Sequence, residues 1–141
     1  MVLLPYLADV PMTRWPLSNF ATIGVTCVAF LLLTAGEPSY DQVKSYVAYR
    51  WNVTGMFGHM FLHVGWIHLI GNMVFLWVFG NAICAKVGNL LFPVVYVALG
   101  LVAVLVHLLV DDARAVGASG AINGIVGMFL VWYPRNDVRC F

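Results

Sequence analysis

Ser119 stands between glycines in Gly117-Ala118-Ser119-Gly120. His63, His68 and Asn72 recur in the apolar stretch His63-Val64-Gly65-Trp66-Ile67-His68-Leu69-Ile70-Gly71-Asn72. A serine at the start of a helix is a hydroxyl nucleophile beside free backbone N–H groups. The positive end of the helix dipole there favours a developing negative charge. The flanking glycines remove side chains, so a substrate backbone can approach. His68 and Asn72 are one turn apart and share a helix face. An imidazole N–H and an amide N–H aimed at one point would hold the oxyanion of a tetrahedral intermediate. The chemistry suggested is acyl transfer.

Each residue also has a plainer use. Ser119 could be an ordinary N-cap. His68 and Asn72 could form interhelical hydrogen bonds that only hold a bundle together. His59, His63 and His68 raise a metal site, although spacings of four and five do not keep all three on one straight helix face. No carboxylate or cysteine stands near them. His107, at the end of another apolar run, is either a general base or a solvated histidine at a helix end. Gly-x-Ser-Gly is not the nucleophile elbow of soluble hydrolases, because no strand precedes it. Cys27, Cys84 and Cys140 share no metal or redox spacing and read as small buried apolar residues.

The elements that must position these groups are membrane helices. The chain has 141 residues, of which 62% are hydrophobic and 9% charged. Polar groups in hydrocarbon cost free energy unless partnered, which makes the serine, histidines and asparagine functional candidates. Charge-free runs cover Trp15–Gly36, Trp51–Ala85, Val87–Val110 and Ala115–Pro134. One crossing needs roughly 20 apolar residues. The expected fold is all-α, a multi-pass transmembrane bundle with four membrane helices at about 17–35, 66–85, 91–110 and 119–133. A soluble helical core wrapped by other subunits is the rival. Trp51–Gly65 carries three glycines and two histidines, and Trp51–Val64 reads as a re-entrant or interfacial segment.

Stop signals agree with these boundaries. Glu37-Pro38 ends the first helix, Lys86-Val87-Gly88-Asn89 forms a turn, and Pro93 fits the first turn of the third helix. Ser39 and Gln42 have capping-box spacing, so an amphipathic helix over Ser39–Arg50 is expected in the headgroup region. Met1–Arg14 reads as an arm, Asp111–Arg114 as a polar link, and residues 135–139 as a juxtamembrane loop. The apolar N-terminus is broken by Pro5, Pro11 and Pro16 and lacks a basic region. The first span is therefore expected to act as a signal anchor rather than a cleaved signal. Gly120, Gly124 and Gly127 form a small-residue stripe, expected to admit the helix of His68 and Asn72 or one carrying a general base, or simply to pack tightly on a neighbouring helix.

Alternating helices put Arg14, Lys86, Arg135 and Arg139 on one side, against Lys44, Arg50 and Arg114 on the other. That balance places the N-terminus in the cytoplasm. Ser119, His63 and His68 then lie near the extracytoplasmic face. A net charge of +1 without a basic patch argues against nucleic-acid binding.

Taken together, His63-x-x-x-x-His68-x-x-x-Asn72 followed by Gly117-x-Ser119-Gly120 resembles the rhomboid intramembrane serine protease family. The resemblance runs from the first helix to the loop after the fourth. It implies that Ser119 is the nucleophile and that His68, Asn72 and the Ser119 backbone N–H stabilise the oxyanion. His63, Gly117 and Gly120 would give structural support, with neither cofactor nor metal. It also implies a transmembrane segment as substrate, a lipid bilayer as surroundings, and a bacterial inner (plasma) membrane as location. The family has at least six membrane helices, with its general-base histidine on the sixth. The chain thus reads as the first four helices, expected to be inactive alone. Asn123 stands where many members carry an aromatic residue. A non-catalytic rhomboid-like protein that binds transmembrane segments is the alternative.

Overall fold

The computed structural model describes residues 5–111 and 113–140. Helix α1 spans Leu17–Gly36. It stops where Glu37 turns left-handed, with φ 43°, ahead of Pro38, because a residue before proline is disfavoured in helical geometry. Helix α2 is only Tyr40–Val43, followed by a 3₁₀ turn over Lys44–Tyr46. Its start is as the capping-box spacing predicts, with the Ser39 N–H donating to Gln42 Oε1 at 2.7 Å. The expected continuation to Arg50 does not form. Val47 leaves the helix, and Ala48 pairs with Ala115 in an antiparallel bridge.

Helix α3, Val53–Gly58, begins at Asn52, whose Oδ1 accepts the Gly55 N–H at 3.2 Å. A 3₁₀ turn over His59–Phe61 follows. Helix α4 runs Trp66–Val87 and is the central element. In its most apolar stretch 56% is buried, against 17% for α1 and for α5, the helix at Phe92–Val110. Helix α4 ends at Gly88, whose φ is 91°. One feature of α4 has no sequence signature: a π-turn over Leu76–Gly80. The buried Asn19 on α1 donates to the Leu76 carbonyl at 2.9 Å and to Asn81 Oδ1 at 2.7 Å. A π-turn frees backbone groups from the i→i−4 ladder, and Asn19 partners one of them. Gly80 makes the approach possible, since a Cβ there would lie 2.6 Å from Asn19 Oδ1.

Helix α6 spans Ser119–Trp132. Of the four expected crossings, three are long and apolar enough to span a membrane; α6 is shorter. Its 14 residues rise about 21 Å at 1.5 Å each, less than the roughly 30 Å of a hydrocarbon core. The helix starts at Ser119 as expected; Ala115–Ala118, although apolar, form loop, held by the Ala48 bridge and by a φ of 109° at Gly117.

Aromatic edge contacts join α4 to its neighbours: Phe79 meets Phe129 of α6, with ring centres 5.0 Å apart, and Trp66 meets Phe30 of α1 at 4.9 Å. Two glycines of the stripe give the expected tight helix packing, against α5 rather than against the helix of His68 and Asn72. A Cβ at Gly120 would lie 2.6 Å from Ala103 Cβ, and one at Gly124 would lie 2.7 Å from Leu99 Cδ2, so both seat α6 on α5. Gly127 faces open space. The N-terminal arm and the juxtamembrane loop, both expected to be irregular, pair as an antiparallel ribbon of β1 (Pro5–Ala8) and β2 (Val138–Cys140). Cys140 on that ribbon is exposed, unlike the buried Cys84. Met1–Leu4 of the arm lie outside the described residues.

Candidate active site

The loop before α6 is fixed from two directions. Ala48 and Ala115 exchange backbone hydrogen bonds at 3.1 and 3.0 Å, and the Gly117 N–H donates to the His59 carbonyl at 2.8 Å. The segment between α1 and α4 is therefore the mould for the chain leading into Ser119. Gly117 is required there twice. Its φ of 109° is a region that side chains avoid, and a methyl group would lie 2.7 Å from His68 Nε2 and 3.6 Å from Asn72 Nδ2.

Ala118, not Ser119, occupies the N-cap position of α6, and no side-chain cap bond is made there. The N-cap use of Ser119 is thereby corrected: the residue is the first helical one, exposed, with a hydroxyl not used to close the helix. The first i→i−4 bond of the helix runs from the Ile122 N–H to the Ala118 carbonyl at 3.0 Å. The N–H groups of Ser119, Gly120 and Ala121 precede it, as at any helix start.

His68, Asn72, Ser119 and Asn123 line one cleft of about 270 Å³, with Ile67, Phe75 and Ile122 as its apolar walls. Polar groups of α4 and α6 far apart in sequence thus face a common space. Asn72 is buried and its Nδ2 lies 2.9 Å from His63 Nε2. An amide nitrogen only donates, so His63 Nε2 accepts and the neutral ring carries its proton on Nδ1. Burial, reinforced by the nearby His68, pushes the His63 pKa down to about 4, which keeps the ring in that acceptor form. The His63 and His68 ring centres are 5.0 Å apart. One amide hydrogen of Asn72 is committed to His63; the other remains on the side of Gly117 and the cleft.

His59 and His107 lie elsewhere. With Ser119 and Gly120 they line a second, smaller cavity of about 150 Å³ beneath the loop. The His107 Nε2–H donates to the Ala113 carbonyl at 2.9 Å, tying the end of α5 to the link that follows it. His59, His63 and His68 are therefore not gathered at one point. Among the described residues no three His, Cys, Asp or Glu side chains converge as a metal site would need. Asn19 is the buried polar residue that the sequence reading missed; a lone asparagine in an apolar run was its only signal.

A family model described as Rhomboid domain matches residues 50–141. Among curated relatives, the chain is 40% identical over 81 residues to Rhomboid-like protein 11, chloroplastic, of Arabidopsis thaliana, a match covering 56% of the chain and 29% of that protein. It is 35% identical over 69 residues to Rhomboid protease GluP of Bacillus subtilis (strain 168), covering 49% of the chain and 14% of the relative. With RHOMBOID-like protein 5 of Arabidopsis thaliana it shares 34% identity over 84 residues, covering 57% and 26%. The aligned stretches thus span 14–29% of these relatives' lengths, and the relatives come from a plant as well as a bacterium. The matched region begins at the re-entrant segment that moulds the Ser119 loop and includes α4, α5 and α6. The chain is an integral membrane protein of the rhomboid family.

Proposed function

We propose that this chain carries the nucleophile and oxyanion-binding half of an intramembrane serine endopeptidase that cleaves in or near transmembrane segments. One observation carries the reading: the Ser119 hydroxyl, not used as a cap, opens onto the same cleft as His68 and Asn72. In this reading Ser119 Oγ attacks the scissile carbonyl. The developing oxyanion accepts hydrogen bonds from the Ser119 backbone N–H, the free Asn72 amide hydrogen and the His68 ring. Such donors, fixed in a water-poor site, are among the largest contributions to acyl transfer. His63 acts as a positioning residue, holding the Asn72 amide by its other hydrogen. Attack requires a base to take the Ser119 proton. His107 shares a cavity with Ser119, but its Nε2 is engaged with Ala113; the resemblance to rhomboid proteases implies instead a base histidine on a later helix, outside this sequence. Water for deacylation would enter through the small cavity bounded by His59, His107 and the loop.

The test uses a full-length protein that contains this sequence. It should cleave a transmembrane substrate and label at Ser119 with a mechanism-based serine probe, and Ser119→Ala should abolish both. Cleavage that persists in that variant would refute the assignment. Full-length protein that binds transmembrane segments but never labels would establish the non-catalytic alternative.

A further inference from the structure

We propose that the surface around the Ala48–Ala115 bridge holds one anionic phospholipid of the surrounding leaflet, its phosphate on Arg114 and Arg50 and an acyl chain in the adjoining groove. The Arg114 guanidinium lies 5.0 Å from the Tyr40 ring centre and 5.6 Å from that of Tyr49, and Arg50 lies 5.0 Å from the same Tyr49 ring. Two guanidinium groups against one tyrosine concentrate positive charge at this surface, which favours an anion. Among the described residues no carboxylate forms an ion pair with Arg50 or Arg114. Asp41 pairs with Lys44 at 2.7 Å, the one ion pair among the described residues, and Asp111 accepts the Ala113 N–H at 3.1 Å. Arg50 and Trp51 are also both held left-handed, at φ 47° and 56°. Consecutive left-handed non-glycine residues are costly, and that turn carries Arg50 back over Tyr49.

An apolar groove adjoins this cluster through the Ala48–Ala115 pairing. Side chains directly opposite in an antiparallel pair share a face, and alternate residues along a strand share it too. Since Ala48 pairs with Ala115, Val47 and Val116 fall on the same face as Tyr49 and Arg114. Val47 and Val116, with Phe30, Leu33, Val43 and Leu62, wall an apolar groove of about 410 Å³ between α1 and the re-entrant segment. His63 and the exposed Glu37 also border it. A basic, aromatic mouth over an apolar groove at a helix end matches a phosphate head and a hydrocarbon tail. Tyrosine belongs at that depth of a bilayer, and basic side chains there attract anionic lipid. A soluble anion would use the mouth and leave the groove empty.

The purified chain in detergent, offered equal amounts of dioleoylphosphatidylglycerol and dioleoylphosphatidylcholine, is examined by native mass spectrometry. One phosphatidylglycerol should be retained in preference, with each guanidinium contributing about fivefold to the preference. Arg114→Gln and Arg50→Gln should each lower it by that factor. Val64→Trp, at an exposed position lining the groove, should lower retention of both lipids, with unchanged helix content as the control for folding. Equal retention of the two lipids would overturn the proposal. So would a preference that survives both arginine substitutions, displacement by inorganic phosphate as effectively as by lipid, or retention indifferent to Val64→Trp.

Discussion

At the scale of single residues, His63 and Asn72 form one unit with two uses. The amide that faces the cleft is aimed by the hydrogen bond to His63 Nε2 at 2.9 Å. In a full-length enzyme, Asn72→Ala and His68→Ala should each lower kcat by about 10²–10³, the usual cost of losing an oxyanion donor, with thermal stability little changed in His68→Ala. His63→Ala should lower the melting temperature at least as much as it lowers rate, because it leaves Asn72 buried without its partner. Equal rate losses in all three, accompanied by equal losses of stability, would mark the residues as bundle glue. Protonation makes a second prediction. With its folded pKa near 4 against an ordinary 6.5, His63 binds a proton less readily folded than unfolded. Its contribution is complete above about pH 6.5 and is lost as pH falls toward 4. Melting temperatures in detergent from pH 7 to 4 should fall less steeply in His63→Gln than in the parent. Parallel curves would refute the assignment of a neutral, buried ring.

At the scale of elements, the decisive joints lie where helices depart from regularity. The π-turn of α4 depends on Asn19, which partners the Leu76 carbonyl. Asn19→Ala would leave that carbonyl and the Asn81 side chain without their donor, and should destabilise the chain by about 1–3 kcal/mol. Thermal unfolding in detergent checks this, and Asn19→Asp separates shape from donation because a carboxylate cannot donate. A variant as stable as the parent would show that the π-turn finds other partners. The loop before α6 is the other departure. Its bridge to Ala48 ends α2 short of the Arg50 that periodicity predicts, and its bond to the His59 carbonyl holds the chain that enters α6 at the expected Ser119. Apolar composition marks residues that hydrocarbon or a core will accept; it does not say whether they are helical. The loop residues Ala115–Ala118 satisfy the same count that a helix would.

At the scale of the whole molecule, the proposed function makes the site half of a catalytic unit. The chain alone should show no serine-dependent proteolysis of a transmembrane substrate, since a positioned base typically contributes about 10²–10⁴ in rate. Cleavage by the 141-residue chain that disappears in Ser119→Ala would assign the base to His107 instead. Much of the architecture was legible without coordinates. Four charge-free runs, proline and glycine stops, and the His63, His68, Asn72 and Ser119 spacings are local properties, and hydrophobic length and helical period translate directly into membrane helices. The sequence therefore determined the all-α bundle, its helix order and the residues worth examining. Tertiary structure decided what depends on pairing across distance. It set the ribbon between β1 and β2, placed Gly120 and Gly124 against α5, gave Asn19 to α4, and brought the Ala48 strand to the Ser119 loop. Each is a hydrogen bond or a close contact between residues remote in sequence, and no local period encodes the partner. That bridge, with the Gly117 bond to His59, turns a serine at the start of a short helix into one that shares a cleft with His68 and Asn72.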